Sequence, residues 1–108
     1  MSIMEAFSLK GKIAIVTGSS RGIGRAIALA YADAGADVVV SSRKPDACEP
    51  VAKEVESRGV RSMVVPCHVG KTADIENLIQ SVHKAWGRID VLVNNAATNP
   101  AKGALVNT

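Results

Sequence analysis

The chain has 108 residues, 47% of them apolar, 21% charged and only 3% aromatic, with a formal net charge of +3. That is enough for one domain, residues 1–108, with an interior built from Val, Ile, Leu and Ala. Lysines and arginines are scattered among acids with no interleaved aromatics, which argues against a nucleic-acid partner. No apolar run approaches the roughly 18 residues that span a bilayer. Met1 to Lys10 lacks the long apolar core of a secretory leader. Cys48 and Cys67 have neither metal-ligand spacing nor a disulfide context, so reduced thiols and a cytoplasmic protein are expected, with no metal site.

In chain order, Ile13-Ala14-Ile15-Val16 reads as a buried strand running into Thr17-Gly18-Ser19-Ser20-Arg21-Gly22-Ile23-Gly24. A helical pattern covers residues 22–34, with Ile23, Ile27, Ala30, Tyr31 and Ala34 on one stripe and Gly35 as the stop. Residues 36–42 form a second strand centred on Val38-Val39-Val40. Pro45 marks a turn, and Ala47, Val51 and Val55 give the next helix its inward face before Gly59. Met63-Val64-Val65 is the third strand. Thr72 is expected to cap a third helix, with Ile75, Leu78, Ile79, Val82 and Trp86 on one side and Gly87 at its end. Residues 89–93 form a fourth strand.

Strands apolar on both faces, alternating with amphipathic helices, predict a parallel sheet covered on both sides. Right-handed crossovers put the first two helices on one face and the third on the other, with strand order 3-2-1-4. The expected fold is therefore α/β, a Rossmann-type three-layer sandwich with a partial parallel sheet, truncated relative to a full doubly wound fold. The glycine-rich run between strand and helix is a phosphate-binding device. Its glycines let the backbone approach a pyrophosphate, and the helix N-terminus offers unpaired N–H groups and partial positive charge. Its spacing is G-x-x-x-G-x-G, distinct from the general G-x-G-x-x-G fingerprint.

That spacing, as T-G-x-x-x-G-I-G from Thr17 to Gly24, together with Asn94-Asn95-Ala96-Ala97 after the fourth strand, resembles the short-chain dehydrogenase/reductase family. The stretches Pro66-Cys67-His68-Val69-Gly70-Lys71 and Asn95-Ala96-Ala97-Thr98-Asn99-Pro100 look most like its branch of peroxisomal-type NADP-dependent carbonyl and retinal reductases. The resemblance implies that Gly18, Gly22 and Gly24 form the pyrophosphate turn, and that Ser20, Arg21 and Ile23 contact phosphates and ribose. Asn95 and Ala96 would lie against the adenosine ribose, followed by Ala97 where the family usually has Gly. His68, with Val69 beside it, stands where the family often has an Asp that bonds the adenine amino group; a neutral imidazole nitrogen could accept the same bond.

The end of the second strand decides the cofactor. An NAD site places a carboxylate there for the ribose hydroxyls, whereas this chain has Ser42, Arg43 and Lys44. A guanidinium grips a 2′-phosphate bidentately where a carboxylate would repel it, so NADP is expected over NAD. The catalytic Ser and Tyr-x-x-x-Lys that the family uses for hydride transfer have no match. The single tyrosine, Tyr31, has Gly35 where the Lys would stand. The chain therefore reads as the NADP(H)-binding portion of an oxidoreductase acting on a carbonyl/alcohol pair, inactive alone and with no catalytic residue of its own. The alternative is a non-catalytic dinucleotide-binding module or a decayed or truncated gene product. A Rossmann-like methyltransferase half fits poorly with the glycine spacing and the paired asparagines. An apolar fourth strand left as an edge predicts a homo-oligomer or a missing C-terminal half, with Val91 and Val93 or their neighbours exposed.

Overall fold

The computed structural model describes residues 8–68 and 70–95. Strand β1 spans Ile13–Thr17, helix α1 Gly22–Asp33, β2 Asp37–Ser41, α2 Pro45–Glu56, β3 Ser62–Val64, α3 Thr72–Trp86 and β4 Val91–Asn94. All pairings are parallel and the order is β3-β2-β1-β4, the expected topology. β1 is central: Ile15 lies opposite Val39 on one side and Leu92 on the other. Every β1 residue is buried, which explains its β-branched, uninterrupted apolar run.

Alternation along the strands divides the interior in two. Ala14, Val16, Val38 and Val40 pack with Ala28 and Ala32 of α1 and with Val51 and Val55 of α2. Ile13, Ile15 and Val39 face the other way, against Leu78 and Val82 of α3. Cys48 belongs to the first cluster and Cys67 to the second, so the two thiols lie on opposite sheet faces. Both are free, and burial pushes both upward from the ordinary thiol range.

The helices meet the sheet on faces that differ from the expected ones. In α1 the buried line is Gly24, Ala28 and Ala32, with Ile27 and Tyr31 flanking it, while Ile23 is 73% exposed and Ala30 is also outward. Small residues at four-residue spacing let the helix backbone approach the sheet, so the larger side chains splay to its flanks. In α2, Cys48 takes the inward place expected for Ala47, which is exposed, and Pro45 opens the helix itself. In α3, Ile79 is turned outward, and Lys71 rather than Thr72 is the N-cap residue. Gly87 ends that helix in the left-handed region, at φ 83°.

β4 begins at Val91, and Asp90 just before it clamps the strand's start to β1. Its Oδ2 accepts the Ile13 N–H at 2.8 Å while its own N–H donates to the Ile13 carbonyl at 2.9 Å. Arg88 pairs with the same carboxylate at 2.6 Å and, with the Ile13 N–H, holds it below the usual carboxylate range. Val93 is buried against the α1 side, while Val91 and its opposite-facing neighbour Leu92 are half-buried, so of the two faces expected to be exposed neither is fully so.

Candidate functional site

In an all-parallel sheet every strand ends on the same edge, so the segments after β1, β2, β3 and β4 converge there. Gly18 and Gly22 have φ of 62° and 60°, the left-handed region that favours glycine, and they shape the turn between β1 and α1. Gly24 is required for a different reason. A Cβ there would collide with the Gly18 carbonyl and lie 2.7 Å from Asn95 Nδ2. The pyrophosphate turn expected from the sequence is thus folded tightly on itself, with the Asn95 side chain against it.

α1 starts with Arg21 at its N-cap, no side-chain cap and no acidic residue in its first turn. An ordinary helix start carries Ser, Thr, Asp or Asn at that point. Leaving the first N–H groups unclaimed, with a guanidinium alongside, suits an external anion. After β2, the Ser42 hydroxyl accepts the Lys44 N–H at 3.1 Å and lies 3.2 Å from Cys48 Sγ, which folds the 42–44 segment into a compact turn. Arg43 and Lys44 are exposed. Ion pairs among the described residues use Arg25, Arg58, Arg61 and Arg88; Arg21, Arg43 and Lys44 have no carboxylate partner there.

After β4, Thr17 Oγ1 accepts the Asn95 N–H at 2.9 Å and lies 3.0 Å from Asn94 Oδ1, which locks the end of β1 to the end of β4. After β3, His68 is held from two sides: its N–H donates to Asp74 Oδ2 at 3.1 Å, and its Nδ1 accepts the Gly70 N–H at 3.1 Å. With Nδ1 accepting from Gly70, a neutral imidazole carries its proton on Nε2 and donates from there, the opposite sense to the expected acceptance of the adenine amino proton. Val69, Ala96 and Ala97 lie outside the described residues.

Sequence reasoning passed over Ser19 and Ser41, both fully buried. Ser19 Oγ donates to the Val16 carbonyl at 2.7 Å and accepts the Ser41 N–H at 3.0 Å, and Ser41 Oγ donates to the Val65 carbonyl at 2.7 Å. The available signal was the presence of hydroxyls at the ends of otherwise apolar strands. A shallow open cleft at the opposite sheet edge, lined by Lys10, Gly11, Gly35, Asp37 and Arg58, is a poorer anion site. Arg58 is paired there with Asp33, and Asp37 with Arg61. No group of metal-ligating side chains occurs among the described residues, and no described helix is long and apolar enough to cross a membrane.

Comparison with known proteins bears directly on this geometry. A family model described as short chain dehydrogenase matches residues 12–106. The chain belongs to the short-chain dehydrogenase/reductase family. It is 43% identical over 99 residues to tropinone reductase-like 3 of Erythroxylum coca, covering 92% of this chain and 38% of that protein. The human dehydrogenase/reductase SDR family member 4 is likewise 43% identical over 99 residues, covering 92% of this chain and 36% of its own. The crystal structure of L-sorbose reductase from Gluconobacter frateurii, described as complexed with NADPH and L-sorbose, superposes with a TM-score of 0.81. It is 39% identical, over 85% of this chain and 35% of that one. The chain thus spans less than two-fifths of the length of these relatives.

Proposed function

We propose that the carboxyl edge of this sheet holds the adenosine, pyrophosphate and 2′-phosphate end of NADP(H), as the cofactor-binding portion of a reductase acting on a carbonyl/alcohol pair. The observation that carries this reading is the placement of Arg21, Arg43 and Lys44, three cations without carboxylate partners among the described residues, on the segments that follow β1 and β2, beside the glycine-rich turn and the start of α1. The turn of Gly18, Gly22 and Gly24 takes the pyrophosphate, with Ser20, Arg21 and Ile23 at its rim. Ser42, Arg43 and Lys44 take the 2′-phosphate. Asn95 and Ala96, with Ala97 next in the chain, border the adenosine ribose. His68, with Val69 beside it, meets the adenine as a donor. The nicotinamide, once bound, supplies the hydride; these residues bind and orient its carrier.

The relative solved with NADPH supports the choice of cofactor, and the family supports oxidoreductase chemistry. The catalytic Ser and Tyr-x-x-x-Lys have no match in these residues, so NADPH consumption by this chain with a carbonyl substrate is expected to be at background. The alternative of a binding module without chemistry predicts the same binding, and longer transcripts encoding Tyr-x-x-x-Lys downstream separate the two. The finer branch, carbonyl or retinal reduction, rests on the 66–71 and 95–100 stretches alone. Titration of NADPH and NADH tests the cofactor. Arg43→Ala is expected to weaken NADPH by about 10- to 100-fold, the worth of one charged hydrogen-bonding group, while leaving NADH within about twofold. Equal affinities for the two cofactors in the wild-type protein refute the 2′-phosphate assignment.

A further inference from the structure

We propose that Ser19 is a positioning residue that fixes the distance between the two phosphate subsites, and so discriminates NADP from NAD without touching either. This inference rests on the NADP reading above. The pyrophosphate turn and the 2′-phosphate turn belong to different segments, one after β1 and the other after β2. Ser19 sits inside the first, fully buried, and Ser41 immediately precedes the second. The two are joined reciprocally: the Ser19 N–H donates to the Ser41 carbonyl at 3.0 Å, and the Ser41 N–H donates to Ser19 Oγ at 3.0 Å. The Ser19 hydroxyl proton goes to the Val16 carbonyl at 2.7 Å, so this one oxygen also anchors the turn to β1. The β1–β2 ladder ends at Thr17 and Ser41, so beyond it this exchange carries the register outward between the turns. A ligand with phosphates on both turns gains from having them held at one separation, whereas a ligand reaching one turn gains nothing.

Three adenosine phosphates separate these cases. Adenosine 2′,5′-bisphosphate reaches both turns, 5′-AMP only the glycine-rich turn, and 2′-AMP only the Arg43 turn. Wild-type protein is expected to bind the bisphosphate at least about tenfold more tightly than either monophosphate, as expected when two sites are linked in fixed geometry. Ser19→Ala is expected to remove most of that advantage while leaving both monophosphates within about twofold. Ser41→Ala, which loses only its hydroxyl bond to the Val65 carbonyl and keeps the exchange with Ser19, is expected to retain the advantage. Equal weakening of all three ligands by Ser19→Ala, no weakening of any, or the same selective loss in Ser41→Ala overturns the proposal while leaving the NADP site standing. Wild-type protein that binds none of the three overturns the NADP reading and this inference with it. Amide exchange gives a check that needs no variant. Saturation with adenosine 2′,5′-bisphosphate is expected to slow exchange of the Ser41 N–H, which is held by Ser19, while 5′-AMP leaves it nearly unchanged; unchanged protection with the bisphosphate contradicts the coupling.

Discussion

Gly24 shows how narrowly single positions are set at this edge. Ala at this position would push its methyl into the Gly18 carbonyl, a backbone group that cannot swing aside, and against the Asn95 side-chain amide. Gly24→Ala is therefore expected to destabilise by about 1–3 kcal/mol, the usual range for overpacking, and chemical denaturation measures it. Thr17→Val is nearly isosteric but leaves the Asn95 N–H without its acceptor; a loss of about 1–3 kcal/mol is expected by the same measurement. Two carboxyls carry the acid response. Arg88 and the Ile13 N–H hold Asp90 below the usual range, and Arg25 does the same for Glu54. A carboxyl depressed in the folded state stabilises above its unfolded pKa of about 4, and that contribution is lost as pH falls through the folded value. Thermal midpoints should thus be flat near neutrality and drop below about pH 4, with a shallower drop in Asp90→Asn. An unchanged acid slope in that variant removes Asp90 from the account.

Among the elements, α1 and α3 show what a pattern of apolar residues can and cannot reveal. Their existence and order followed from periodicity, and Gly35 and Gly87 marked helix ends, because those signals are local. The faces did not follow, since Ile23 and Ile79 look like core residues and are exposed, while Gly24, Ala28 and Ala32 look incidental and form the contact. Hydrophobicity ranks Ile above Ala, but helix-to-sheet distance is set by the smallest residues in the stripe. Ala28→Leu is accordingly expected to cost about 1–3 kcal/mol or more by overpacking, although it raises the hydrophobicity of the helix. Helix α2 carries Pro50 on an exposed face, where proline removes a helical donor. Pro50→Ala is expected to raise stability by roughly 1–2 kcal/mol, the helical gain reduced by the greater freedom of the unfolded chain, as read by denaturant midpoint.

At the scale of the whole molecule, the parallel order β3-β2-β1-β4 gathers residues far apart in sequence onto one edge. The glycine spacing, the Arg43-Lys44 pair and the paired asparagines were legible as a candidate site because each is a short motif tied to a strand end. Ser19 and Ser41 were not, because their meaning is a hydrogen bond across 22 positions that no local pattern encodes. His68 was legible by position, but its Gly70 bond, and hence the sense of its outward hydrogen bond, was not. The central claim is that the carboxyl edge of the sheet, and no other surface, receives NADPH. Amide resonance mapping during NADPH titration tests it most directly: the account predicts shifts concentrated at Gly18 to Gly24, Ser42 to Lys44, His68 and Asn95. Shifts centred instead on Lys10, Gly35 and Arg58 at the opposite edge, or none at millimolar cofactor, would contradict it.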